Sequence, residues 1–150
     1  MSNYFYGWYF RCQGTEGTVA VIPAVHLSGQ SRTCSVQVLT ESDAWGQTFP
    51  ASEFHIDSRR ERMQVGKNMF SREGIHLQIE DRGMEVRGEL RFGAFSGLKY
   101  DIMGPFAYLP RMECRHSVYS MRHRVKGELH IGSRMMHFNE GLGYMEGDSG

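Results

Sequence analysis

The sequence predicts an all-β protein: an antiparallel, meander-like domain closed as a barrel or curled into a sandwich, with few or no helices. Three observations predict it. Apolar and polar residues alternate with a period of two from end to end, and no window of comparable length carries a 3.6-residue period. Aromatics at 12% and 18 glycines suit many strands joined by tight turns. Asp81-Arg82-Gly83 then stands between two alternating runs, as a hairpin turn does.

Each element follows in order. Tyr6, Trp8, Phe10 and Cys12 fall on one face of an opening strand, with Gly7, Tyr9 and Arg11 opposite. Thr18 to Leu27 is apolar on both faces, as in a strand covered on both sides, and Pro23 within it predicts an edge position or a bulge. Cys34, Val36 and Val38 alternate with Ser35 and Gln37. Ala51 to Ile56 reads as a short strand or a turn of helix, and Ser58 to Arg62 as a charged loop. Ile75, Leu77 and Ile79 alternate with His76, Gln78 and Glu80 before the turn. After it, Met84, Val86, Leu90 and Phe92 alternate with Glu85, Arg87, Glu89 and Arg91. Leu98 to Pro110 carries the turn signals Gly104-Pro105 and Leu109-Pro110. Arg111 to Ile131 reads as a long strand with Tyr119, Met121, His123, Val125, Leu129 and Ile131 on one face. In the closing run Gly141 to Gly150, Leu142, Tyr144, Glu146 and Asp148 share a face, with Gly143, Met145 and Gly147 on the other.

The 150 residues are expected to form one domain spanning 1–150, long enough to bury a core without staples. Lys+Arg at 17 balance Asp+Glu at 17, so no global field favours nucleic acid, an anionic membrane or an acidic substrate. Three cysteines without metal-ligand spacing point to reduced thiols and a cytoplasmic setting. No basic region followed by an apolar run opens the chain, and Val19 to Val25 is far too short for a transmembrane segment.

Two places concentrate chemistry. Glu146 shares a face with Leu142 and Tyr144, so it lies either at a strand end in water or in a cavity that raises its pKa and makes it a proton donor. His123 sits in an apolar row. It is either a core histidine bonded to a carbonyl or one facing a ligand cavity. Glu113-Cys114-Arg115-His116 lacks a zinc spacing, and an odd separation sends His116 and His123 to opposite faces of an unbroken strand, so no metal and no cofactor are expected. The basic residues between Arg111 and Lys126 read as a solvated face, and neither a phosphate-cradling loop nor a nucleophile elbow is present.

Tyr4-Phe-Tyr-Gly-Trp-Tyr-Phe-Arg11 and Gly141 to Gly150 resemble the two signature ends of the N-terminal half of the tocopherol cyclase family. Lys99-Tyr-Asp-Ile-Met-Gly-Pro-Phe106, Met112-Glu-Cys-Arg-His116 and Ser120-Met-Arg-His123 resemble its bacterial branch. The resemblance implies a lipocalin-like β architecture with a ligand cavity in or between two β domains. In that family an acidic residue precedes Gly-Trp-Tyr, where this chain has Tyr6, and the closing motif runs on into a second β domain. The implied partners are therefore a hydrophobic, prenyl-type small molecule and either a missing C-terminal β domain or a second copy of the chain.

The implied chemistry is delivery of a proton to an isolated alkene in a dry pocket. Glu146 is the expected acid, with His123 or Asp148 tuning or reprotonating it. Trp8, Met121 and Tyr144 are expected to line the cavity, with Glu113 and His116 as further ligand-binding residues. Two functions stand side by side: a hydrophobic-ligand domain with acid-catalysed cyclase or isomerase chemistry in a longer form, and a non-catalytic β domain that packs against a partner or dimerises. A contiguous apolar surface patch is the feature expected of the second.

Overall fold

The computed structural model describes residues 3–96 and 115–150, the side chains of Arg115 and His116 excepted. Among these residues the chain forms a single antiparallel sheet of 11 strands with one short 3-10 turn, Ala51–Glu53. The strands are β1 (Tyr4–Gly14), β2 (Gly17–Ser28), β3 (Ser31–Leu39), β4 (Ala44–Pro50), β5 (Phe54–Asp57), β6 (Arg62–Val65), β7 (Asn68–Ser71), β8 (Gly74–Asp81), β9 (Met84–Phe92), β10 (Arg115–Ile131) and β11 (Arg134–Ser149). Their order in the sheet is β4-β3-β2-β1-β11-β10-β9-β8-β7-β6-β5. Consecutive strands pair antiparallel except β4 and β5, which stand at the two ends of the order, and at its centre the first and last strands meet.

The sheet curls into a nearly closed barrel, and side chains bridge the seam that the ladders leave. The Gly46 amide of β4 donates to Asp81 Oδ2 at 2.9 Å, the Glu80 amide of β8 donates to Gln47 Oε1 at 2.9 Å, and the Arg82 guanidinium donates to Ala44 O at 2.7 Å. Behind the seam, buried Asn68 donates to Val65 O and accepts from the Gln78 amide. Strand β7 is too short to pair along all of β8, and Asn68 supplies the partner that a longer strand would have given.

The predicted alternation sets the inside of the barrel. Trp8, Phe10 and Cys12 face inward from β1, Val19, Val21 and Val25 from β2, Cys34, Val36 and Val38 from β3, and Ile75, Leu77 and Ile79 from β8. Each large aliphatic or aromatic side chain so buried contributes roughly 1.5–3 kcal/mol. The turn falls where the sequence predicts it: Asp81 pairs with Met84, and Arg82 (φ 55°) and Gly83 (φ 78°) form a two-residue loop of the type whose twist matches the strands. Residues 51–56 are both things the sequence allowed, a helical turn and then the start of β5.

Two expectations are corrected. Pro23 lies in a strand flanked by β1 and β3, with no edge and no change of register; the β1 ladder simply lapses opposite it, between the Gly7–Ala24 and Phe10–Val21 pairs. A local gap in one ladder accommodates the missing donor, which the edge rule did not anticipate. In β10, register shifts after Val118 and after Ser120 break the single apolar row. Met121 is consequently thrown outward, 52% exposed, while Ser120 and His123 turn inward.

Cys12 and Cys34 are free and buried. They pair across β2 with Val19 and Val25 respectively, six residues apart along that strand, or about 20 Å, so they are far beyond disulfide reach. Burial pushes the Cys12 thiol up to about 12, leaving it unreactive.

Candidate functional site

Strand β11 divides the candidate residues between the two faces of the barrel wall. Its inward positions are Gly141, Gly143, Met145 and Gly147, and its outward positions are Leu142, Tyr144, Glu146 and Asp148. Size decides which face is which. A Cβ on Gly143 would fall on the His123 ring, and one on Gly147 would lie 2.6 Å from the Tyr119 ring. The glycines are inside because large side chains from β10 lie flat across them. The sequence reading left the face of Leu142, Tyr144 and Glu146 either in water at a strand end or towards a cavity that Tyr144 would line; in the structure it is the outer face.

Inside, these side chains build an aromatic cage. Trp8 meets Phe10 edge-on at 6.2 Å and Tyr119 at 6.4 Å, and Phe10 stacks with Phe92 at 5.7 Å. His123 sits between Phe92 (4.6 Å) and Phe95 (4.5 Å). Its Nδ1 lies 2.9 Å from Ser120 Oγ, which also accepts from the Ser96 amide. Its Nε2 is buried without a hydrogen-bond partner among the described residues. Burial lowers the His123 pKa from an ordinary 6.5 to about 4, so the ring is neutral at physiological pH.

The consequence for stability has a definite sign. Because the folded state resists protonation, stability should fall as pH drops from about 6.5 towards about 4, by roughly 2–3 kcal/mol, and level off below. Urea unfolding of wild type and His123→Leu at pH 7, 5 and 4 checks this. Identical pH slopes in the two proteins would remove His123 as the cause.

At one end the cage opens into a cavity of about 150 Å³. Its wall is Tyr6, Trp8, Tyr119 and Met145, and its rim is Ile56, Ser58, Glu61 and Arg72. Arg72 pairs with Glu61 at 3.1 Å and lies over the Phe95 ring at 5.1 Å, so one cation links the rim to the cage. The Trp8 indole donates to the Tyr6 hydroxyl at 3.1 Å, leaving an apolar ring surface towards the opening.

Outside, Tyr144 is hydrogen-bonded to Glu146, packs edge-on against Tyr9 at 6.3 Å, and lies beneath the Arg11 guanidinium at 5.2 Å. Burial, then the charge and hydrogen bond of Glu146, raise the Tyr144 pKa to about 12; Arg11 opposes this. Among the described residues, the structure thus brings together Tyr144, Glu146 and Asp148 on the outer face, and Trp8 and His123 on the inner one. Met121 belongs to neither group. Glu113 and the His116 side chain, like Gly104-Pro105, lie outside the described residues. No group of three or more His, Cys, Asp or Glu side chains converges as metal ligands among the described residues, and no helix there is long and apolar enough to cross a membrane.

The cavity residues that sequence reasoning missed are Tyr6, Ile56, Ser58, Glu61, Arg72, Tyr119 and Met145. Met145 carried a signal, since it is the one large side chain on a face otherwise made of glycine. Glu61 and Arg72 carried none, because they meet only through the folding of the β6–β7 hairpin.

No family model matches the sequence, and no curated protein matches it. Among solved structures it is similar to a "putative AttH" from Nitrosomonas europaea, at 9% identity and a TM-score of 0.52. The match covers 98% of this chain and 50% of that one, so the chain spans about half the length of the solved protein. The likeness is one of fold.

Proposed function

We propose that this chain is a binding domain for a small hydrophobic molecule, held at the mouth of the barrel. The aromatic-walled cavity carries the reading: about 150 Å³ bounded by Tyr6, Trp8, Tyr119 and Met145 has room for about one ring or one branched apolar unit of a longer ligand. The ligand is of prenyl or isoprenoid type, as the resemblance to the tocopherol cyclase family implies, with its remainder passing out over Ile56 and a polar end near Arg72. The acid-catalysed cyclisation or isomerisation implied by the same resemblance belongs to a longer form. Glu146 opens on the outer wall rather than into this cavity, and the buried polar residues of the described interior are Asn68, Ser120 and His123, none of them an acid.

Fluorescence tests the reading. With Trp45→Phe, Trp8 is the one remaining tryptophan, and its emission should shift saturably on titration with farnesol. A flat titration to the solubility limit of farnesol, in a protein folded by circular dichroism, would overturn it.

A further inference from the structure

The polar groups at the mouth of the barrel are mostly hydrogen-bond donors. Tyr6, Trp8, Ser58, Glu61 and Arg72 all border the cavity. The Trp8 indole N–H is already engaged, donating to the Tyr6 hydroxyl oxygen at 3.1 Å. That bond occupies the Tyr6 oxygen and leaves the O–H hydrogen without an acceptor among the described residues.

Arg72 is left in a similar condition. Its Nε lies 3.1 Å from Glu61 Oε2, and its guanidinium lies over the Phe95 ring at 5.1 Å. These two contacts orient the planar group, and among the described residues its Nη hydrogens have no partner beyond Glu61. Glu61 reaches this position from a left-handed backbone, with a φ of 50°, where a glutamate is uncommon. Its carboxylate balances the charge of Arg72, so the rim favours neither a free anion nor a free cation.

We propose that the molecule held in this cavity presents its polar group as a neutral carbonyl, a ketone or an aldehyde, which accepts from the Tyr6 hydroxyl and the Arg72 guanidinium. The inference rests on the hydrophobic-ligand reading above and names the headgroup class for that site. A carbonyl takes what both donors offer and has no proton of its own to place. A carboxylate would accept as well, but it would lie beside the Glu61 carboxylate. An ammonium ion would lie beside Arg72 and would find the Glu61 carboxylate already engaged. An alcohol such as farnesol also accepts, but its own proton then needs an acceptor against an aromatic wall.

Geranylacetone, an isoprenoid ketone, tests this in the Trp45→Phe chain, with Trp8 emission as the readout. It is titrated beside the hydrocarbon, the ammonium and the carboxylate of the same isoprenoid skeleton. The ketone should bind at least about fivefold tighter than the ammonium or the carboxylate. In Tyr6→Phe and in Arg72→Met, its affinity should fall by at least about threefold more than that of the hydrocarbon. That comparison cancels any change of cavity shape common to both ligands. Equal losses of ketone and hydrocarbon in both variants overturn the proposal and leave the binding site standing, as does an ammonium or a carboxylate that binds tightest. No emission change with any of these ligands overturns the proposal together with the reading on which it rests.

Discussion

Gly127→Ala should cost about 3–5 kcal/mol and leave the chain largely unfolded or only marginally folded. Gly127 sits in β10 between its partners Leu90 of β9 and Phe138 of β11, in the middle of the barrel wall. Its φ of 131° lies where side chains are strained by roughly 1–3 kcal/mol. An added Cβ would also collide with Glu89 O, a backbone atom of the adjoining strand. That carbonyl cannot swing aside as a flexible side chain could, so the β9–β10 ladder itself must part. Thermal and urea unfolding measure the effect; a loss below about 1 kcal/mol would mean that the wall tolerates a bulge there.

Gly143→Ala should cost about 2–4 kcal/mol, for a different reason and with a different remedy. Here the obstacle is the His123 ring, held between Phe92 and Phe95 and so unable to yield. Removing it should make room. The double variant Gly143→Ala with His123→Ala is expected to be more stable than the sum of the two single losses predicts, by more than about 1 kcal/mol. Strict additivity would show that the methyl group and the imidazole do not compete for one space.

Much of the fold was legible. The runs at 75–80 and 84–92 alternate so regularly, around a turn of the right composition, that β8 and β9 could be drawn from the sequence. The two-sided apolar run at 18–27 announced a strand covered on both faces; β2 is an interior strand between β1 and β3, but its second face, with Ala20 and Ile22, is half-buried on the outside of the barrel. The site was less legible, for two physical reasons. Alternation assigns residues to two faces without saying which is inside, so in β11 it left the face of Tyr144 and Glu146 open to water or to a cavity. Packing decides it: the wall supplies glycine, and β10 supplies the bulk. Alternation also assumes an unbroken strand, so the irregularities after Val118 and Ser120 separated Met121 from His123 without any mark in composition. The cavity brings together Tyr6, Ile56, Arg72, Tyr119 and Met145, side chains that only the barrel's register makes neighbours.

The seam between β4 and β8 has a kinetic meaning. A ladder of backbone bonds opens cooperatively, whereas three side-chain latches at Asp81, Gln47 and Arg82 can release one at a time. Amide hydrogens along β4 should therefore exchange with solvent deuterium well before those of β1 and β11, which are paired on both sides. When the latches part, β4 becomes a free edge able to recruit a strand from another chain. Asp81 then acts as a gatekeeper against fibrous assembly, and its loss would be felt first as turbidity on prolonged warming.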